Sequence, residues 1–116
     1  MFIQFCKSKI AHARVTQAEL FYEGSITIDE TLLKAVDIIS GERVEVLNLN
    51  NGNRFETYVI AGKAGSGVFC LNGPAARLGL AGDQIIVLSY ALMDPKEARQ
   101  ARTKVIHLDD NNQIKN

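Results

Sequence analysis

The sequence predicts a mainly β fold, a small β-barrel with short helices, and three observations support this prediction. Apolar and polar residues alternate in several short segments, which is the two-residue period of a β-strand. Turns rich in glycine and asparagine, such as the one at Asn51-Gly52, separate those segments. The chain has 116 residues, of which 47% are hydrophobic, so it can bury one core of modest size. We therefore expect a single domain over residues 1–116.

The N-terminal part is predicted to hold one strand and one helix. Residues 2–10 (FIQFCKSKI) alternate as a strand does, whereas residues 13–20 (ARVTQAEL) are ambiguous. Residues 27–37 (TIDETLLKAVD) carry the spacing of a capping box, from Thr27 to Glu30, which predicts a helix of about two turns. Its apolar face is predicted to consist of Leu32, Leu33 and Val36.

The remainder of the chain is predicted to add a hairpin and three further strands. Residues 42–50 and 54–62 are expected to pair, because Asn51-Gly52 supplies the positive φ angles of a tight turn. The segments that follow are predicted as a turn (63–67), a short strand (68–72), a helical turn with a glycine-rich bend (73–83), a long apolar strand (84–93), a polar segment (94–102) and a final strand (103–108). Residues 109–116 are expected to form a flexible tail.

Composition and charge argue against several classes of protein. Thirteen basic residues balance thirteen acidic ones, so no nucleic-acid partner is expected. No apolar run approaches 18 residues, and the N-terminus lacks the apolar core of a signal peptide, so we expect a cytoplasmic protein without a membrane partner. The two cysteines form no CxxC pair, and the two histidines have no ligand-like spacing to them, which favours reduced thiols and no metal.

Two glycine-rich segments allow binding hypotheses. Residues 63–67 (KAGSG) lack the lysine-hydroxyl ending and the following helix of a phosphate loop, so a hairpin turn is predicted there. Residues 73–85 (GPAARLGLAGDQI) resemble the helix-to-strand segment of PDZ domains, which capture a partner's C-terminus by strand addition. No GLGF-like loop lies upstream. A PDZ-like peptide-binding module or another non-catalytic small barrel is thus the alternative to an enzyme.

The segment FYEGS (21–25) places Gly24 directly before Ser25. One interpretation is a simple turn before the next element, and the other is a peptide bond that the serine itself attacks.

On the predicted strand 54–62, Arg54 and Tyr58 share one face while Thr57 lies on the other.

Three motifs, FYEGS, NGNRFETYVI (51–60) and LNGPAA (71–76), together resemble the aspartate 1-decarboxylase family. These are pyruvoyl-dependent enzymes that make β-alanine for pantothenate biosynthesis. The likeness runs from Lys9 to about Met93, with the family's order and spacing. It implies a double-psi β-barrel, a homotetramer with sites between subunits, and a precursor that cleaves itself between Gly24 and Ser25.

The resemblance also implies a role for each matched residue. Ser25 would attack the Gly24 carbonyl to give an ester, and elimination and hydrolysis would convert Ser25 to a pyruvoyl group. Thr57 matches the hydrogen-bond donor to the oxyanion formed on the way. The pyruvoyl group would form a Schiff base with L-aspartate, without pyridoxal phosphate or metal, and Tyr58 would donate a proton after carbon dioxide leaves. Substrate binding is implied for Lys9, Arg54, Thr57, Asn72, Gly73, Pro74 and Ala75.

Two features do not fit the resemblance smoothly. A histidine commonly stands two residues after the lysine that matches Lys9, but here Ala11 stands there and His12 follows, so that histidine's role is not carried over. Thr57 and Tyr58 are predicted on opposite strand faces. Both can serve one kind of site only if the strand twists or bulges, or if each faces a different subunit's pocket.

Overall fold

An eight-stranded mixed sheet organises the chain, which the computed structural model describes over residues 1–115. The strands are β1 (Ile3–Arg14), β2 (Gln17–Glu19), β3 (Ser25–Asp29), β4 (Arg43–Asn48), β5 (Arg54–Gly62), β6 (Phe69–Asn72), β7 (Gln84–Met93) and β8 (Lys104–His107). The helices are α1 (Glu30–Ala35), α2 (Pro95–Gln100) and a 3-10 helix (Gly73–Arg77). The strand order across the sheet is β2-β6-β3-β5-β4-β7-β1-β8, which confirms the mainly β class with short helices.

The sheet curls into a small barrel because consecutive strands lie near its opposite edges. β2 forms one edge and β1 lies next to the other, yet only Val15 and Thr16 separate them in the chain. The backbone N–H of Thr16 donates to the Phe69 carbonyl oxygen at 2.9 Å, and the Phe69 N–H donates to Thr16 Oγ1 at 3.0 Å. The Val15 N–H donates to the Asp83 carbonyl oxygen at 2.9 Å. These bonds close the barrel that the sequence predicts.

Side chains that alternate along the strands fill the barrel interior. The largest fully buried ones include Ile10, Ile26, Ile28, Val46, Val59, Phe69, Leu71, Ile85 and Val87. Burying one such side chain stabilises the fold by roughly 1.5–3 kcal/mol. Strand residues of the other parity point away from this core. That outward face carries Ser25, Tyr58 and Asn72 of the candidate site.

The helix predicted over residues 27–37 has its N-cap placed two residues too early, at Thr27 instead of Asp29. Residues 25–29 form β3, and Asp29 is the N-cap of α1, where its Oδ1 accepts from the Thr31 N–H at 2.8 Å. The predicted capping box from Thr27 to Glu30 is therefore wrong. The β-branched run at 26–28 favours a strand, and its pairing with β5 and β6 overrides the capping pattern. The predicted apolar face is buried as expected.

The connections partly match the predicted turns. β4 and β5 pair antiparallel as predicted, but the loop between them is longer than a two-residue turn, and only Gly52 in it has a positive φ, +77°. Residues 63–67 form a turn, yet not a hairpin, because the strands they join lie on either side of β3. The turn's amides bind Asp29: its Oδ1 accepts from the Gly65 N–H at 3.0 Å, and its Oδ2 accepts from the Gly67 N–H at 2.8 Å.

Two segments, one predicted as ambiguous and one as polar, contain regular structure. The ambiguous residues 13–20 hold the end of β1 and all of β2. Residues 94–102 contain α2, whose N-cap Asp94 accepts from the Lys96 N–H at 2.8 Å and is followed by proline at the first helical position.

The predicted flexible tail is instead a hydrogen-bonded turn up to Lys115, and Asn116 lies outside the described residues. Its centre, Asn112, is buried at the barrel seam with a φ of +57°. Asn112 Nδ2 donates to the carbonyl oxygens of Arg14 and Gly67, and its Oδ1 accepts from the Arg14 N–H, all at 2.8 Å. One side chain thus satisfies three backbone groups where strand pairing ends.

Replacing Asn112 should loosen this seam. In Asn112→Ala the three backbone groups lose their partner, so we expect a loss of about 1–3 kcal/mol in the free energy of unfolding. Urea denaturation measures the loss, and Asn111→Ala, at the exposed neighbouring position, is the control. Equal stabilities of the two variants would contradict the role given to Asn112.

Candidate active site

The Gly24-Ser25 peptide bond lies at the start of β3. Gly24 has a φ of +116°, a conformation that glycine adopts at the least cost. Ser25 is fully buried and pairs with Asn72 of the antiparallel neighbour β6. The segment FYEGS therefore makes a sharp bend that leads directly into a central strand.

The carboxamide of Asn72 binds the Ser25 hydroxyl. Asn72 Nδ2 donates to Ser25 Oγ at 2.9 Å and to Thr27 Oγ1 at 2.9 Å. Its Oδ1 accepts from the Cys70 thiol at 3.1 Å. Burial raises the pKa of the Cys70 thiol, and the charge of Glu19 adds to this effect, so the sulfur keeps its proton at neutral pH.

The 3-10 helix that follows Asn72 packs against the backbone of the bend. Gly73 has a φ of +66°, and a Cβ there would lie 2.5 Å from the Tyr22 carbonyl oxygen and 2.7 Å from the Gly24 nitrogen. A Cβ on Gly24 would meet Pro74 Cδ at 3.5 Å. Ala75 is buried. Three predicted residues, Asn72, Gly73 and Pro74, are thus brought to the Gly24-Ser25 bond.

Strand β5 presents its predicted residues on two faces. Arg54 and Tyr58 are exposed, whereas Thr57 is half-buried on the face that carries Val59 into the core. The pairing of β5 with β3 and with β4 runs without a register shift in the described residues, so a bulge does not bring Thr57 and Tyr58 together. No side-chain hydrogen bond from Thr57 to the bend is present within residues 1–115.

The register between β3 and β5 relates Tyr58 to the cleavage point. Ile26 pairs with Val59 in parallel register, and both side chains are fully buried. Continuing this register by one residue sets Ser25 beside Tyr58 on the outward face. The phenol and the serine are thus neighbours in the sheet.

The predicted cations Arg54 and Lys9 stand apart from Tyr58 in the sheet. Arg54 Nη2 lies 3.3 Å from Glu45 Oε1, and Tyr90 donates to the same oxygen at 3.1 Å. Arg54 stands four residues from Tyr58 on β5, about 13 Å along an extended strand. Lys9 lies on β1, three strands from β5 in the sheet order, about 14 Å at ordinary strand spacing.

A comparison with known protein families identifies a match over almost the whole chain. A sequence model described as "Aspartate decarboxylase" matches residues 1–115. The chain belongs to the aspartate decarboxylase family. This confirms the family that the three motifs predict, and neither a PDZ-like module nor a non-catalytic barrel is favoured.

Three similar proteins, each named aspartate 1-decarboxylase, align with this member of the aspartate decarboxylase family over most of their length. The chain is 56% identical to that of Acetivibrio thermocellus over all of its own length and 92% of the relative's. It is 60% identical to that of Syntrophobacter fumaroxidans over 91% of its length and 86% of the relative's. It is 51% identical to that of Salinibacter ruber over 98% of its length and 78% of the relative's.

Two cavities lie elsewhere on the barrel of this family member. A cavity of about 450 Å³ opens on the outward face of β1, β4, β5 and β7, and one of about 600 Å³ borders the seam at Asn112. Neither is lined by Ser25 or Tyr58. Aromatic side chains next to the bend are exposed instead, with 98% of Phe21 and 55% of Tyr22 accessible.

Two further findings concern membrane-spanning helices and metal sites. No helix in the described part of the chain is long and apolar enough to cross a membrane. No group of three or more histidine, cysteine, aspartate or glutamate side chains that could hold a metal ion lies within residues 1–115.

Sequence reasoning missed Thr27 and Cys70, the two other partners of the Asn72 carboxamide. Strand alternation could have identified both, because Thr27 stands two residues after Ser25 and Cys70 stands two residues before Asn72. The helix predicted from residue 27 concealed the first. Cys70 was weighed only as a metal ligand or a disulfide partner, so its place on the site's face of the strand was overlooked.

Gly73 should tolerate a side chain worse than other glycines with positive φ. Gly73→Ala should lower the free energy of unfolding in two ways. The new Cβ clashes with the bend, which costs about 1–3 kcal/mol. An L-residue at positive φ adds about 1–2 kcal/mol to this cost. Gly41→Ala is the matched control, because Gly41 has a φ of +93° and open space around its Cβ position. Thermal and urea denaturation give both losses. Equal losses would contradict the close packing of Gly73 on the bend.

Proposed function

We propose that this chain decarboxylates L-aspartate to β-alanine and carbon dioxide for pantothenate biosynthesis, with a pyruvoyl group made from its own Ser25. One observation carries the proposal: a fully buried serine follows a glycine at positive φ and is held by Asn72. The names of its similar proteins and its family membership support the reaction and the substrate.

Maturation begins with the residues on each side of the bend. Ser25 Oγ attacks the carbonyl carbon of Gly24, the C–N bond breaks, and an ester joins Gly24 to the serine side chain while the Ser25 amine becomes free. Attack on the preceding peptide bond needs an unusual backbone conformation there, which the φ of Gly24 supports. Thr57 is the proposed donor to the oxyanion by family likeness, although its strand face points inward.

Elimination then completes the cut. The Ser25 α-proton is removed, the Cβ–Oγ bond breaks, and Gly24 departs as a carboxylate. Residue 25 is left as dehydroalanine, which water hydrolyses to a pyruvoyl group with release of ammonia. The keto group would stand where Ser25 stands, beside Asn72 and the Gly73-Pro74 wall.

The pyruvoyl group, when formed, supplies an electron-accepting carbonyl that takes up the electrons released with carbon dioxide. Tyr58, next to Ser25 in the sheet register, donates a proton to the substrate carbon that loses its carboxylate. Arg54 binds a substrate carboxylate through its planar fork, and Lys9 adds positive charge. Asn72, Gly73, Pro74 and Ala75 position the bound molecule.

We further propose that sites form between subunits of a homotetramer. Arg54 and Lys9 stand about 13 and 14 Å from Tyr58 along and across the sheet, so we place the cations that serve one Tyr58 on a neighbouring subunit. Phe21 and Tyr22 are exposed, lie just before the cleavage point in the chain and suit burial against a second copy. The opposite faces of Thr57 and Tyr58 also fit contributions to different subunits' pockets.

Ser25→Ala should leave an uncut and inactive chain. The hydroxyl oxygen both attacks and later leaves, so neither step can proceed without it. Intact-mass measurement should find one chain in the variant and two fragments, 1–24 and 25–116, in the wild type. Ser66→Ala, in the exposed 63–67 turn, is the control and should cleave normally. Two fragments from Ser25→Ala would refute the proposed maturation.

Tyr58→Phe should separate maturation from catalysis. The chain should still cleave itself, while β-alanine production falls roughly 100- to 10,000-fold, the usual worth of a general acid. Tyr90→Phe is the comparison variant: its phenol donates to Glu45 and, in the described part of the chain, makes no hydrogen bond to the Gly24-Ser25 bend, so the variant should lose much less activity than Tyr58→Phe. Near-normal β-alanine production in Tyr58→Phe would mean that another group delivers the proton.

A further inference from the structure

We propose that Thr27 and Cys70 are positioning residues for the self-cleavage, because together they hold the carboxamide of Asn72 with its nitrogen toward Ser25 Oγ. The inference rests on the proposed maturation at Gly24-Ser25 and adds two residues to it. Its basis is the geometry of four side chains on two paired strands, in which Ser25 pairs with Asn72 and Thr27 pairs with Cys70.

A carboxamide has two orientations of nearly the same shape, with opposite hydrogen-bonding consequences. In one, Nδ2 donates to the hydroxyl oxygens of Ser25 and Thr27, and Oδ1 accepts from Cys70, as observed here. In the other, Oδ1 would face both hydroxyls and Nδ2 would face the sulfur. The partners of Asn72 must therefore select the orientation.

Cys70 favours the orientation of the Asn72 carboxamide in which Oδ1 faces the thiol. Its thiol is buried, and sulfur is a weak hydrogen-bond acceptor, so a protonated thiol is served by an acceptor and poorly served by an N–H group. Burial raises the pKa of Cys70, which keeps the S–H proton in place. The oxygen of the Asn72 carboxamide consequently turns toward Cys70.

Thr27 supports the same orientation of the carboxamide from the other side, by accepting its second amide proton. Asn72 is buried and has two amide protons, and only one of them goes to Ser25. Thr27 Oγ1 accepts the second at 2.9 Å. Without this acceptor a buried N–H would lack a partner, which is costly, and the flipped orientation would become competitive.

The orientation matters more for elimination than for attack. During the attack, Ser25 Oγ gives up electron density, so a donor on that oxygen does not help. During elimination the same oxygen receives the electron pair of the breaking Cβ–Oγ bond, and an aligned N–H donor stabilises the charge that develops. Thr27 and Cys70 therefore act mainly on the step that consumes the ester.

Hydroxylamine distinguishes the two steps. It cleaves the ester to give Gly24 hydroxamate and a free Ser25, whereas elimination gives a Gly24 carboxylate. The mass of the 1–24 fragment reports the ratio of the two products, and this fragment contains no asparagine that hydroxylamine could attack at an Asn-Gly bond. The variants are Cys70→Ala and Thr27→Val, with Cys70→Ser and Thr27→Ser as controls that keep a donor or an acceptor.

In both test variants we expect elimination to slow about tenfold, less than the roughly 100- to 1,000-fold that loss of an aligned donor costs. The trapped hydroxamate fraction should rise accordingly, and both conservative controls should behave like the wild type. Thermal denaturation confirms that each variant is folded. A rise in only one variant would contradict a joint action through Asn72.

Two other outcomes have separate meanings. If the wild type cleaves and all variants give its product ratio, even at slower overall rates, the positioning role is refuted while the proposed function stands. If the wild type forms neither fragment under any condition, the proposed maturation fails, and this inference fails with it.

Discussion

The pairing of β3 with β6 fixes the site, and the hydrophobic core fixes that pairing. Ile26 and Leu71 face each other across the two strands and are fully buried. A slip of one residue would turn these apolar side chains outward and carry Ser25 into the core. Burying each apolar side chain is worth roughly 1.5–3 kcal/mol, against about 1 kcal/mol for one hydrogen bond. The core therefore sets the geometry, and Asn72 makes use of it.

The bend before Ser25 goes against the local preferences that hold elsewhere in the barrel. Gly24 and Gly73 both have positive φ, and their backbones approach too closely for a Cβ on Gly73. Unusual backbone conformations persist where the surrounding structure imposes them, and they are concentrated at functional sites. Here β3 and the 3-10 helix impose it from the two sides of the bend. The bond proposed to break is the one that this packing constrains.

The sequence was informative where a local pattern and the tertiary structure agree. The strand alternation, the apolar face of α1 and the spacing of three motifs all depend on neighbours within one chain. The start of α1 was mispredicted, because Thr27 satisfies both a capping pattern and a strand, and pairing with β6 decides between them. The turn around Asn112 was missed, since its order comes from binding distant backbone groups. Strand patterns do not show how Lys9 and Arg54 would reach one pocket, since in the proposed site this depends on a second chain.

The ion pair between Arg54 and Glu45 fits a cation that must release one carboxylate to bind another. Both side chains are partly exposed, and such pairs contribute only about 0–1 kcal/mol. A substrate carboxylate that binds the guanidinium fork bidentately can displace a single contact of 3.3 Å at little cost. Tyr90 still donates to Glu45 after that exchange, so the displaced carboxylate keeps a partner. In the proposed function Glu45 thus holds Arg54 ready on the outward face without competing strongly for it.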